Sequence, residues 1–413
     1  MKIRHLTKAD GTAAMKLSAL CFDYPYDTNG KTDEEYFEYL ANNPQEKLHV
    51  HPEYEIGAFT DDGELMAATA AIPFTFYFDG STYSGNGIGN VSTYPQHRRK
   101  GAIRAIFMEI LKESYESGQT FSYLYPFSEA FYGAFGYRRA DNSIRHTYFL
   151  QVLPDYRFTG SFSLKQGNGV PEDYKTAYFA FAEKFNMMVK RDDLDWKNLT
   201  DAKGSENNNY AYLYRDADGV PRGYLVFKKT ERTMRCREFV FDSLTTLKAL
   251  FSFARGFRAD YDYIHFHAPS CLNLACFCPD FVPHNSTRDL ANNGMVRVIN
   301  MENALSSARY LTDGSVRIAV ADPCLSGNNA VFTVSIKNGR ASSVKKELLP
   351  QGADLTGIDC DIAMPVSVFS AAITGHYLVR DFDFMEDVSY DKSRISMLEG
   401  VFYKKDSFIN NYF

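Results

Sequence analysis

No stretch of this sequence approaches the roughly 18 consecutive apolar residues that a membrane-crossing helix needs. The segment Met1 to Asp10 also lacks the apolar core of a secretion signal. The expectation is a cytoplasmic chain with no membrane partner. Positive charge is not in excess either: 45 Lys and Arg against 51 Asp and Glu leave a formal net charge of −6, and a nucleic-acid binder usually presents a basic face. Cysteine is sparse and unpatterned. The seven residues Cys21, Cys236, Cys271, Cys276, Cys278, Cys324 and Cys360 are odd in number and contain no Cys-x-x-Cys pair, which reads as reduced thiols rather than a disulfide framework.

What is present is apolar mass and a pair of punctuated segments. With 45% hydrophobic and 15% aromatic residues over 413 positions, the chain can build two or three cores. In Val91-Ser-Thr-Tyr-Pro-Gln-His-Arg-Arg-Lys-Gly-Ala-Ile-Arg104 a β-prone run passes through Pro95 into Arg98, Arg99, Lys100 and Gly101. Behind Gly101, residues Ile103, Ile106, Phe107, Ile110 and Leu111 recur at helical spacing. A helix that opens at Gly101 leaves its first N–H groups unpaired and partly positive, so it can cradle a diphosphate with the basic side chains adding charge. Arg-Arg-Lys alone would also suit a solvated basic cluster; the strand before it and the helix after it favour the cradle. In the second segment, Phe121 to Tyr125 is halted by Pro126, Ser128 can cap a short helix, and Gly136 can close it before Tyr137. Within that helix Tyr132 is either an aromatic packing residue beside Phe131 and Phe135 or a group with a chemical task.

Alternating strands and helices over residues 1–150 form one α/β unit, including a helix near 10–21, another near 33–41, and a hairpin around Asp61-Asp-Gly63. An echo follows in 151–290, where Tyr210 to Tyr214, the turn Asp216-Ala-Asp-Gly219 and Gly223 to Phe227 repeat the strand, acidic turn, strand pattern. A helix at 243–253 and a strand Tyr263 to His267 continue it, without an Arg/Gln-x-x-Gly loop between them. Residues 291–413 restart with the strand Met295 to Met301. A helix from about Glu302, strands at 315–322, 330–337, 341–348 and 359–363, an Asn338-Gly339 hairpin turn and a helix at 365–374 then make an α+β unit.

Arg98-Arg99-Lys100-Gly101-Ala102 resembles the coenzyme A pyrophosphate loop of the GCN5-related N-acetyltransferases (GNAT), Gln/Arg-x-x-Gly-x-Gly/Ala, and departs from it at Ile103. Ser128 to Tyr137 resembles the acetyltransferase segment that sets a tyrosine beside the coenzyme sulfur. The order of the units resembles the enhanced intracellular survival (Eis) family of aminoglycoside N-acetyltransferases. The fold implied is α/β and α+β, with tandem GNAT-type domains at 1–150 and 151–290, the second degenerate, and a sterol-carrier-protein-like domain at 291–413. The tail of that last domain would reach the active site, and the assembly implied is a homo-oligomer, a hexamer.

The resemblance implies acetyl-CoA as cosubstrate, held by Val91, Thr93, Arg98, Arg99, Lys100, Gly101, Ala102 and Ser128. Tyr132 would be the general acid, Val91 the oxyanion donor, and the α-carboxylate of Phe413 the proton acceptor. For the acceptor pocket the sequence offers Phe22, Asp23, Tyr24 and Asp27, a loop whose rings and acids suit an ammonium ligand or simply pack on the surface. Tyr412 joins it, standing where the family carries an acid. The expected reaction is direct attack of a primary amine, on an aminoglycoside-like molecule, a polyamine or a lysine side chain, with no metal. The alternative is a non-catalytic ligand or lipid carrier with a relic coenzyme site. His265, His267, Cys271, Cys276, Cys278 and His284 offer zinc-type ligands, but their spacing matches no common zinc module.

Overall fold

A computed structural model describes residues 1–23, 30–32, 34–35, 38–39, 54–140, 143–166, 172–200, 209–277, 286–291 and 294–411. The first part of the chain runs β1 (Lys2–His5), α1 (Gly11–Phe22), β2 (Glu55–Phe59), β3 (Leu65–Phe78), β4 (Ser81–Thr93), α2 (Ala102–Glu116), β5 (Phe121–Leu124), α3 (Glu129–Gly133) and β6 (Arg138–Arg139). The middle adds β7 (Ser143–Phe149), β8 (Ser161–Leu164), α4 (Glu172–Ala182), α5 (Asp193–Thr200), β9 (Asn209–Arg215), β10 (Pro221–Thr230), β11 (Thr233–Phe241), α6 (Leu244–Arg255), β12 (Tyr263–Pro269) and β13 (Ser286–Leu290). Then follow β14 (Met295–Val298), α7 (Met301–Ser307), β15 (Gly314–Ala321), β16 (Ala330–Lys337), β17 (Arg340–Leu348), β18 (Ile362–Pro365), α8 (Val366–Ile373) and β19 (Ser389–Tyr390). The helix expected near 33–41 lies largely outside the described residues.

The first sheet has the order β1-β2-β3-β4-β5-β14-β6 and the second β13-β7-β12-β11-β10-β9-β8. Read from opposite ends they are the same design: a parallel pair, β4 with β5 and β11 with β12, sits inside antiparallel neighbours. The place beside β5 is taken by β14, from far along the chain, and the equivalent place beside β12 is taken by β7, which follows the first unit. The two units have exchanged a strand. The connecting segments cross side by side, with the Ala140 N–H donating to the Gly294 carbonyl at 3.1 Å and the Ala291 N–H to that of Ser143 at 3.0 Å. The boundaries read from the sequence, 1–150, 151–290 and 291–413, are corrected here: 143–149 builds the second sheet, and 295–298 builds the first rather than opening the third unit. A short apolar strand fits either gap, so its sequence does not say which sheet receives it.

The apolar stripe of α2 behaves as its spacing requires: Ile106, Phe107, Ile110 and Leu111 are buried against the first sheet, while Ile103 stays partly open. The other face of that sheet, with Phe76, Phe78, Phe121, Tyr123, Val296 and Val298, is continuous with the core of the third unit. There α8 packs on β14, and Ser370 Oγ accepts from the Val298 N–H at 2.8 Å. The third sheet, β17-β16-β15-β18-β19, carries the expected hairpin, with Asn338 and Gly339 both at positive φ. Its strand near 359–363 begins later, at Ile362, and runs into α8 through Pro365. No helix among the described residues is long and apolar enough to cross a membrane.

On the exchanged strand, Arg297 is 0% exposed and meets the equally buried Asp322 of the third unit at 2.9 Å. Asp322 also accepts from the Cys324 and Leu325 amides and from Asn328 Nδ2. Removing one partner of such a pair leaves a buried charge uncompensated. Asp322→Ala should therefore lower stability by about 3–5 kcal/mol, read as a fall in the urea midpoint, and replacing Arg297 and Asp322 together by Met and Leu should cost less than Asp322→Ala alone.

Candidate functional site

The site follows from two strands that run parallel and then part. β4 and β5 pair from Gly85 with Phe121 to Ile88 with Leu124. At the start of the pair the strands lie so close that a Cβ on Gly85 would stand 2.2 Å from the Phe121 carbonyl oxygen. Past Ile88, β4 bulges. Gly89 faces Ala70 but Ser92 faces Ala68, so one extra residue is accommodated, with Asn90 at φ 50° and its Nδ2 donating to the buried Glu55 at 3.0 Å. A bulge takes backbone groups out of the ladder, here beside Val91. On the other side β5 ends and Pro126 turns the chain away. Between them opens a cleft of about 750 Å³, walled by Val91 and Thr93, by Arg98, Arg99, Gly101, Ala102, Ile103 and Arg104, by Cys21 and Phe22, by His97, and by Phe127, Phe131 and Phe135.

Helix α2 points its N-terminus into this cleft. Its cap is Gly101 at φ 80°, which carries no side chain to satisfy the first-turn amides. The contrast with the second unit is instructive. Helix α6 occupies the same place after β11, but Ser243 caps it, its Oγ accepting from the Thr246 N–H at 3.3 Å. In one copy a side chain already occupies the helix terminus; in the other the terminus is left for an anion. Among the described lining residues the charged groups are the cations Arg98, Arg99 and Arg104, and none is a carboxylate. Arg99 itself sits at φ 62°, a conformation that bends the loop around the helix start.

Tyr132 lies on α3, whose Ser128 cap accepts from the Phe131 N–H at 3.4 Å. Its ring is 2% exposed, packed by Phe107, Phe127, Phe131 and Tyr137 with centroids 5.1–6.4 Å away. Burial first, and the neighbouring Tyr137 second, push its phenol well above the usual tyrosine range, so it holds its proton throughout the neutral range. The segment is braced from below: Tyr137 Oη and Ser122 Oγ are 2.6 Å apart, Ser122 donates to Asn86 Oδ1, and Asn86 Nδ2 donates to Ser114 and Gln119. Gly136, at φ 84°, would bring a Cβ to 2.8 Å from Arg297 Nη1.

Of the residues singled out from the sequence, the fold brings Val91, Thr93, Arg98, Arg99, Gly101, Ala102 and Phe22 to one cleft. Lys100 turns aside, its Nζ 3.3 Å from His97 Nδ1. Ser128 and Tyr132 are not among the lining residues, the Tyr132 ring packing against Phe127 and Phe131, and Asp23 is the exposed, left-handed cap of α1. Tyr24, Asp27, Tyr412 and Phe413 lie outside the described residues. The sequence reading missed Arg104, Cys21 and His97 as lining groups, and the aromatic wall of Phe127, Phe131 and Phe135, of which only Phe131 lies within α3 and the other two flank it. His265 and His267 share a face of β12 with rings 5.8 Å apart, and Cys271 and Cys276 are exposed. Cys278 and His284 lie outside the described residues, and among the described ones no group of three metal-ligating side chains forms. A cavity of about 340 Å³ in the third unit has Asp354, Glu386 and Asp387 at its wall.

A side chain at Gly101 would meet no protein atom within 4 Å; what disfavours it is the left-handed backbone. An L-residue pays roughly 1–2 kcal/mol for that conformation, so Gly101→Val should weaken coenzyme A binding about tenfold or more. Arg99→Ala should cost about threefold or less, one exposed cation among several. Calorimetric titration of both variants decides the matter, and wild-type affinity in the valine variant would remove the helix terminus from the site.

Residues 2–140 match an acetyltransferase (GNAT) domain family, residues 187–298 a second such family, and residues 301–410 a sterol carrier protein domain family. No curated protein matches the chain by sequence. Solved structures do match in fold. A probable N-acyltransferase of unknown function from Enterococcus faecalis superposes with a TM-score of 0.83 at 20% identity, over 100% of this chain and 99% of that one. A GCN5-related N-acetyltransferase from Anabaena variabilis gives 0.84 at 18%, over 100% of both chains. Eis1 from Mycobacterium abscessus gives 0.78 at 19%, again over 100% of both. The chain therefore carries two GNAT acetyltransferase domains followed by a sterol carrier protein domain, and shares its fold over its full length with Eis1.

Proposed function

We propose that the chain transfers an acetyl group from acetyl-CoA to a primary amine by direct attack on the thioester. The observation that carries this reading is the unsatisfied N-terminus of α2, flanked by Arg98, Arg99 and Arg104, opening onto the gap between β4 and β5. The diphosphate of the coenzyme takes the amides of the first helical turn. The pantetheine arm runs along β4, and the N–H near Val91, freed by the bulge, polarises the thioester carbonyl. As the amine nitrogen bonds to the carbonyl carbon and the C–S bond breaks, Tyr132 donates a hydrogen bond to the departing sulfur. A phenol held protonated stabilises that developing thiolate at every neutral pH.

The proton shed by the amine goes to the α-carboxylate of Phe413, directly or through a water. The path of the tail supports this assignment, since the Tyr125 hydroxyl donates to the Asn411 carbonyl at 3.0 Å, at the end of β5 and next to the segment of Tyr132. The acceptor class we favour is an amine on an aminoglycoside-like molecule, a polyamine or a lysine side chain, entering past Phe22 and the aromatic wall. The charged wall of the cavity in the third unit speaks against an apolar lipid as the main ligand.

Thiol release from acetyl-CoA over a panel of such amines tests the proposal, and no release with any of them would overturn it. Tyr132→Phe keeps the ring and should lower turnover by roughly 10²-fold with coenzyme affinity near wild type; unchanged turnover returns Tyr132 to a packing role. One glycine added after Phe413 keeps every side chain and displaces only the charge. That variant should fold, bind coenzyme A and lose most of its turnover, and full activity would discard the terminal carboxylate.

A further inference from the structure

The bulge on β4 has a counterpart in the second unit, and the two are built differently. Each lies just past the parallel pairing, which ends at Ile88 on β4 and at Arg235 on β11. Each adds one residue. On β4 the addition falls between the pairs Gly89 with Ala70 and Ser92 with Ala68; on β11 it is Arg237, between the pairs Cys236 with Phe227 and Glu238 with Val226. Arg237 keeps a negative φ, whereas Asn90 sits at φ 50° in the left-handed region. An extra residue at this place therefore does not by itself demand that conformation. Asparagine enters it more readily than most residues do, and here its side chain is held there. Asn90 Nδ2 donates to Glu55 Oε1 at 3.0 Å.

Glu55 opens β2, two strands from the bulge, and is 0% exposed. It faces Ala70 on β3, which in turn faces Gly89 on β4. A methyl group and a hydrogen atom leave the carboxyl group a path across the sheet to Asn90. A carboxyl group withdrawn from water is costly to leave without its donors, so the contact restrains the asparagine. The consequence falls on the next peptide, because the torsions of Asn90 set the plane of the rigid unit that carries the Val91 N–H. Val91 lines the cleft where β5 has parted from β4. Turning Asn90 out of the left-handed region would rotate that N–H with it.

We infer that Glu55 and Asn90 are positioning residues that aim the Val91 N–H at the carbonyl oxygen of the bound thioester. The inference rests on the reading of that N–H as the oxyanion donor. Neither residue lines the cleft, and Glu55 acts through Asn90.

The test uses the full-length protein and three variants. Asn90→Gly allows the left-handed backbone and removes the tie, Glu55→Ala removes the acceptor, and Glu55→Gln keeps an acceptor oxygen. Acetyl-CoA isotopically labelled at the thioester carbonyl is bound to each without any amine, and its carbonyl stretch is read by difference infrared spectroscopy. On the wild type the band should fall below that of free acetyl-CoA, since a hydrogen bond to the oxygen weakens the C=O bond. In Asn90→Gly and Glu55→Ala it should return toward the free position, with affinity for acetyl-CoA within about threefold of wild type, as expected when the donor is misaimed and the cleft is intact. With the amine giving the fastest thiol release, kcat should drop by roughly 10-fold to 10²-fold and KM for acetyl-CoA by no more than about twofold either way. Glu55→Gln should recover most of what Glu55→Ala loses. Should Glu55→Ala fail to fold, Asn90→Gly decides, since it leaves β2 untouched. A wild-type band and wild-type kcat in Asn90→Gly overturn the positioning role and leave the N–H as donor. An unshifted band on the wild type itself overturns the oxyanion assignment and the inference with it.

Discussion

A guanidinium shut away from water must meet a carboxylate, and Arg297 meets Asp322 across the joint between the first sheet and the third unit. Much of the architecture hangs on that demand. Arg297 sits on β14, a strand that links the second unit to the third along the chain but whose hydrogen-bond partners lie in the first. Asp322 gathers the amides and the asparagine of the loop that follows β15, and Cys324 and Leu325 of that loop pack into the core beneath α2. The same guanidinium presses on Gly136 at the end of the Tyr132 segment. Strand exchange, docking of the third unit and the floor of the cleft therefore share one buried charge pair, and none of these could shift without exposing it.

The two acetyltransferase units show how little separates an open helix terminus from a capped one. Both have the parallel pair, the parting strands and the helix that follows. They differ in the few residues before the helix. The first has a loop of eight residues, 94–101, ending in a left-handed glycine; the second goes from β11 through Asp242 to a serine whose hydroxyl occupies the helix terminus. A backbone amide satisfied by its own cap has nothing left to offer a phosphate. The copy without the loop carries instead the aromatic core and the buried ion pair of Arg191 with Glu238 that meet the tail.

The frame of the candidate site was partly legible in the sequence because it depends on local order. The helix start at Gly101, the stripe of α2, the cap at Ser128 and the turns at Gly63 and Asn338-Gly339 each follow from residues within a few positions of one another, and the structure forms them in place. Lys100 illustrates the limit of such reading. It belongs to the basic run, yet its side chain turns to His97, because the direction of a loop side chain depends on neighbours that a pattern does not encode. Arg104 falls outside the apolar stripe of α2, and it lines the cleft because the first turn of α2 is where the helix meets the gap.

Sequence by itself determined the three-unit order, the helical and strand periodicities, and the loop that leaves a helix terminus open, since these are set by spacing, capping and backbone conformation at neighbouring positions. Tertiary structure alone decided which sheet receives β7 and which β14, that Arg297 is paired, that Phe127, Phe131 and Phe135 wall the cleft, and that Asn410 and Asn411 are gripped by Arg191 and Glu238. Those outcomes join residues up to some 220 positions apart. A buried charge, a short apolar strand and a terminal asparagine each have many acceptable partners in the sequence, and only the packed chain selects among them.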